Sequence, residues 1–218
     1  MTTIWSPDTR ADAVDAFLER APVLPVLAIE RLEDAVPLAR ALLAGGLPVL
    51  EVTLRSEVAL AAIARIGAEL PAAVVGAGTV LTPADLDAVI TAGAAFAISP
   101  GASEALYAAA ASAAIPFIPA VATASELMRG LEHGHRRFKF FPARAAGGPD
   151  ALKGFAGPFP QVRFCPTGGI TAASAPDYLS LPNVITIGGS WMVPADAIAA
   201  GDWSRIEALA SAAARLRG

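Results

Sequence analysis

Short apolar runs rich in β-branched residues alternate with stretches whose apolar positions recur at helical spacing, and Gly, Pro, Ser or Asp mark the turns between them. The pattern predicts strands near Val23 to Ile29, Pro48 to Leu54, Ala73 to Thr79, Phe96 to Ser99, Pro116 to Val121, Phe138 to Phe141, Val162 to Pro166 and Val184 to Ile187. Helices are expected at Leu32 to Ala44, Glu57 to Glu69, Pro83 to Ala92, Ser103 to Ala113, Ser125 to His133 and Trp203 to Leu216. Thr82 and Ser103 stand at N-cap positions, with Pro83 first in its helix. Apolar strands separated by helices call for a parallel sheet covered on both faces. Eight such units predict an α/β protein, one (β/α)₈ TIM-barrel domain over residues 1–218, somewhat shorter than the usual length of about 250 residues. The competing arrangement is an open doubly wound sheet. Its dinucleotide-binding version lacks a GxGxxG opening a helix after the first strand, and the GAGT at Gly76 to Thr79 lies inside a strand.

Composition narrows the partners. Hydrophobic residues make up 55% of the chain and charged residues 17%, so a large core is available and disorder is excluded. The net charge of −4 comes without a basic block, which argues against nucleic acid as a partner. Ala105 to Ser125 runs 21 residues without a charge, long enough for a membrane span. Pro116 and Pro119 interrupt it, however, and it divides into a helix and a buried strand, so no membrane association is expected. Cys165 is the single cysteine, which excludes an intrachain disulfide and suits a reducing cytoplasm. The N-terminal residues show no signal peptide.

Candidate chemistry sits at strand ends. In Leu50-Glu51-Val52-Thr53-Leu54-Arg55 the period of two places Glu51, Thr53 and Arg55 on one face, pointing toward the mouth where barrel active sites lie. Alone, this trio would read as a Glu51–Arg55 salt bridge. Lys139 changes that reading, because three phenylalanines flank it in Phe138-Lys139-Phe140-Phe141 and a charge there is unfavourable. The chain holds two lysines, Lys139 and Lys153, against fourteen arginines, so lysine is expected where deprotonation matters. A neutral amine attacks carbonyl carbon and forms a Schiff base, an electron sink. Glycine pairs at Gly168-Gly169 and Gly188-Gly189, closing the seventh and eighth predicted strands, offer backbone N–H groups to a phosphate. His133 and His135 flank Gly134 just past a helix with no acidic third ligand and read as loop histidines, and Cys165 reads as core packing. No metal or cofactor is expected.

These motifs resemble a known family. Glu51 and Arg55, Gly76 to Thr79, Ile98 to Gly101, Phe138 to Ala143, Phe164 to Ile170, Gly188 to Trp191 and Val193 to Asp196 together look like 2-keto-3-deoxy-6-phosphogluconate (KDPG) aldolase, also described as 4-hydroxy-2-oxoglutarate aldolase, over nearly the whole length. The resemblance implies a class I, metal-free lyase of the Entner-Doudoroff pathway that cleaves the phosphorylated keto acid to pyruvate and glyceraldehyde 3-phosphate. It assigns the Schiff base to Lys139, proton transfers through a bound water to Glu51, and the pyruvate carboxylate to Arg55. Thr79, Pro100, Phe141 and Thr167 would contact substrate, and Gly168, Gly169, Gly189 and Ser190 would hold the phosphate. It further implies a cytoplasmic homotrimer that also splits 4-hydroxy-2-oxoglutarate. Arg144 departs from the acidic residue the family often carries after Phe-Phe-Pro-Ala. Thr167 separates the chain from the aldolase of the galactonate epimer, which tends to be apolar there. 2-Keto-3-deoxy-6-phosphogalactonate aldolase, a phosphosugar isomerase or epimerase using Glu51 as carbon base, a sugar-acid sensor without turnover and a metal-dependent pyruvate aldolase are the alternatives.

Overall fold

The computed structural model describes residues 5–216. Nine short strands run in chain order: β1 (Val23–Leu27), β2 (Val49–Thr53), β3 (Val74–Gly78), β4 (Ala97–Ile98), β5 (Phe117–Ile118), β6 (Ala120–Val121), β7 (Arg137–Phe140), β8 (Arg163–Pro166) and β9 (Ile187–Gly189). All pairings are parallel, in the orders β5-β4-β3-β2-β1-β9 and β6-β7-β8. This is an α/β fold with a curled parallel sheet. Isolated bridges Phe164 to Val184 and Thr167 to Gly188 join the β8 region to the segment that ends in β9.

The helices are α1 (Pro7–Leu18), α2 (Ala35–Ala44), α3 (Ala59–Glu69), α4 (Pro83–Thr91), α5 (Glu104–Ala110), α6 (Ala124–Glu132), α7 (Gly148–Ala156), α8 (Ala175–Leu179), α9 (Ala195–Ala200) and α10 (Trp203–Ala214). Thr82 and Ser103 cap α4 and α5 as expected, accepting from the N–H groups of Asp85 and Leu106. The helix expected from Leu32 begins instead with a 3₁₀ turn at Leu32–Asp34. Pro37 explains the shift: without an N–H it can only stand in the first turn of α2. One expected strand, Pro116 to Val121, is divided into β5 and β6 at Pro119, which lacks a ladder donor while its carbonyl still accepts from Lys139 N–H at 3.0 Å. The last strand also falls later than predicted, at Ile187–Gly189, with Val184 in a bridge to Phe164.

Two apolar clusters cover the two faces of the sheet. Leu50, Val52, Ala77, Phe117, Phe138, Phe140 and Phe164 face the helices. Leu24, Val49, Phe96, Ile98, Ile118, Cys165 and Ile185 face inward and meet Val14, Phe17 and Leu18 of α1. Phe17 stacks on Phe96 with ring centroids 4.4 Å apart. Ion pairs hold α1 across this end of the sheet: Asp15 takes Arg137 in a bidentate pair at 2.6 Å, Glu19 takes Arg163 at 2.8 Å, and Asp8 pairs with Arg136. The sequence pattern did not predict α1, although Ser6 before Pro7 is a cap signature, and Ser6 and Thr9 form its capping box.

No helix of the described residues is long and apolar enough to cross a membrane.

Candidate active site

β2 and β7 bring the chemistry together. Lys139 Nζ donates to Glu51 Oε1 at 2.8 Å, and the two side chains are 7% and 1% exposed. The Glu51–Arg55 salt bridge, set aside in the sequence because of Lys139, does not form: Lys139 holds the carboxylate and Arg55 donates through Nε to Thr53 Oγ1 at 2.9 Å. Lys139 therefore stands beside an acidic partner rather than among aromatic rings alone. Its Nζ lies 5.5 Å from the centre of the Phe141 ring, so one aromatic wall is present as expected. The second carboxylate oxygen, Glu51 Oε2, is buried and has no hydrogen-bond partner among the described residues. A buried acceptor left this way is costly for stability and open to chemistry.

Glycine makes the room for this carboxylate. A Cβ on Gly78 would lie 2.2 Å from Glu51 Oε1, and one on Gly76 would strike the Phe96 ring at 2.3 Å. The GAGT sequence is thus a space-making strand, which the sequence pattern alone left unexplained. Gly188 works alike: a Cβ there would lie 2.2 Å from Thr167 Oγ1, so the buried Thr167 hydroxyl occupies the volume that glycine vacates. Gly76 and Gly78, two residues apart and so on one face of β3, are the signal that could have found this; in register they stand beside Glu51 and Thr53, and the glutamate side chain leans one step on to Gly78.

A cavity of about 180 Å³ is lined by Arg55, Phe141, Thr167, Gly168, Gly169, Gly189 and Ser190; Lys139 and Glu51 do not line it, and Phe141, whose ring Lys139 faces, is the link between the pair and this space. Seven of the eleven predicted site residues thus meet around one space. Gly168 and Gly169 both adopt left-handed backbone, with φ of 105° and 75°, which requires glycine. Gly189 has a packing reason as well, since a Cβ would fall 2.0 Å from the Trp191 ring. Thr79 and Pro100 are half-buried and do not line this cavity. Thr79 nevertheless holds φ at 61°, which is strained for a β-branched residue. The Arg144 stem covers Gly169 from the side of a neighbouring cavity, with its Cβ 2.8 Å from where a Gly169 Cβ would stand.

Three other groups are resolved by their surroundings. Burial pushes the Cys165 thiol up to about 12, so it behaves as packing. His133 stacks on Tyr107 at 4.4 Å and bonds Glu104 at 3.0 Å. His135 lies in the loop before β7 as expected, yet it is buried: it is 1% exposed, its Nε2 accepts from Arg10 Nη1 at 3.0 Å, and burial lowers its pKa to about 3. Among the described residues no cluster of three or more His, Cys, Asp or Glu could hold a metal ion.

With its curled parallel α/β sheet and buried lysine–glutamate pair, the chain is by family a lyase of the aldolase class. The sequence model of KDPG and KHG aldolases matches residues 14–209, and the chain belongs to that family. It is 57% identical over 198 residues to the KHG/KDPG aldolase of Escherichia coli K12, covering 91% of this chain and 93% of that one. A Legionella pneumophila KDPG aldolase, solved with pyruvate captured at low pH as a covalent carbinolamine intermediate, superposes with a TM-score of 0.90 at 52% identity, covering 92% and 97% of the two chains. The Zymomonas mobilis enzyme, solved with 3-phosphoglycerate, gives 0.89 at 51%, covering 94% and 96%.

Proposed function

We propose that the chain is a class I aldolase that cleaves KDPG to pyruvate and glyceraldehyde 3-phosphate, and 4-hydroxy-2-oxoglutarate to pyruvate and glyoxylate, with Lys139 as the Schiff-base residue. The buried 2.8 Å contact between Lys139 Nζ and Glu51 Oε1 carries this reading. Proton transfer along it leaves a neutral amine, which adds to the C2 ketone to give a carbinolamine. Loss of water yields a protonated imine. A base then takes the C4 hydroxyl proton, the C3–C4 bond breaks, and its electron pair flows into the imine as an enamine. Glu51 is that base, acting through water, and its unpartnered Oε2 is the atom free to serve. Protonation at C3 and hydrolysis of the imine release pyruvate and restore the amine.

Around this centre, Arg55 offers a charged fork to the carboxylate and Thr167 a hydroxyl. Thr79, Pro100 and Phe141 complete the substrate contacts in this reading, and the strained backbone at Thr79 supports a role there. The N–H groups of Gly168, Gly169, Gly189 and Ser190 take the phosphate.

The same reading takes the sheet as a closed (β/α)₈ barrel in one domain. The bridges from Phe164 and Thr167 to Val184 and Gly188, and the continuity of β5 and β6 through Pro119, support that closure. Family resemblance extends the reading to a cytoplasmic homotrimer, which light scattering on the purified protein checks.

Coupled assay of pyruvate release tests the function. KDPG is expected to be cleaved faster than its galactonate epimer. Conversion of a phosphosugar with no loss of carbon, and no pyruvate, would overturn the proposal.

A further inference from the structure

Thr53 is buried on β2 and its hydroxyl has two partners. It donates to the Leu27 carbonyl at 2.7 Å and accepts from Arg55 Nε at 2.9 Å. The directions are forced, because a guanidinium only donates and a carbonyl only accepts. Leu27 ends β1 and is fixed in register against Val52. The relay therefore anchors the Arg55 side chain to the frame of two adjacent strands. Arg55 is otherwise exposed and makes no ion pair among the described residues. With Nε engaged, the two terminal nitrogens remain as a fork matched to a carboxylate at the cavity that Arg55 lines.

We propose that Thr53 is a positioning residue that aims Arg55 at the substrate carboxylate. The proposal rests on the reading of Arg55 as the carboxylate ligand. Thr53 touches no reacting atom. Its effect is to hold a long side chain in its binding geometry before substrate arrives, which removes the ordering cost from the binding step.

Steady-state kinetics on KDPG test this with Thr53→Val and Thr53→Ser, each in the wild-type and Arg55→Ala backgrounds. Thr53→Val is expected to raise KM about three- to tenfold with kcat unchanged, and Thr53→Ser to restore the wild-type value. In the Arg55→Ala background Thr53→Val is expected to add nothing. Thr53→Ala gives the same split should the valine crowd Leu27. An equal effect of Thr53→Val with and without Arg55, or a fall in kcat at constant KM, would overturn the proposal while leaving Arg55 as ligand. Should Arg55→Ala itself leave KM unchanged, the carboxylate reading falls and this proposal with it.

Discussion

The N-terminal and C-terminal ends of the sheet use the same strands in opposite ways. At the first, Leu24, Val49, Phe96 and Ile185 close against Val14, Phe17 and Leu18, with Arg137 and Arg163 paired to Asp15 and Glu19 of the covering helix and its cap. Toward the other end, the next inward positions on β2, β7 and the β8 terminus become Glu51, Lys139 and Thr167, all buried. The apolar end gains from burial itself, about 25 cal/mol for each Å² removed from water. The polar end desolvates two charges and leaves a carboxylate oxygen bare, and such pairs contribute little to stability beside well-packed apolar residues of similar size. Stability and chemistry are thus separated along the strand direction, and each end can be altered with a different readout.

The sharpest separation comes from replacing the polar pair as a unit. Glu51→Gln with Lys139→Met is expected to abolish cleavage while thermal denaturation shows a melting temperature equal to or above that of the parent. A large drop in melting temperature would show that the pair belongs to the structural core. The converse change, Phe96→Ala, should destabilise the fold by about 3–5 kcal/mol in denaturant titration, yet leave kcat per folded molecule intact. Gly78→Ala probes the boundary between the ends. Its Cβ would collide with Glu51 Oε1, and a carboxylate displaced by about 1 Å is expected to lower kcat/KM about 100-fold.

The most gradual expected effect, spread over several pH units, concerns His135. His135 is held neutral by burial with its pKa lowered from 6.5 to about 3. Between those values the unfolded chain binds a proton that the folded chain does not, so stability falls as pH falls, by at most about 1.4 kcal/mol per pH unit. Denaturant titrations between pH 6.5 and 4 should lose this slope in His135→Gln, whose amide oxygen can still accept from Arg10.

Much of this contrast was legible in the sequence. The alternation of apolar strands and helices gave the α/β class, and period two placed Glu51 and Thr53 on one buried face. The glycine pairs and Thr167 do meet around one cavity. What was hidden depends on contacts across the fold. The partner of Glu51 lies 88 residues away on another strand. The helix that covers the apolar end precedes the repeating pattern, so periodicity gave it no place. Proline broke two elements whose hydrophobic pattern ran straight through, since pattern reports side chains and not missing N–H donors. Gly78 read only as part of a strand, and it took the position of Glu51 to show that it yields space.

Reductive trapping tests the central claim most directly. Borohydride added with pyruvate should fix one three-carbon adduct, mapped by peptide mass spectrometry to Lys139 and absent from the exposed Lys153, which pairs with Asp150. Unmodified Lys139 with pyruvate turnover still measurable, or label on Lys153, would contradict the account.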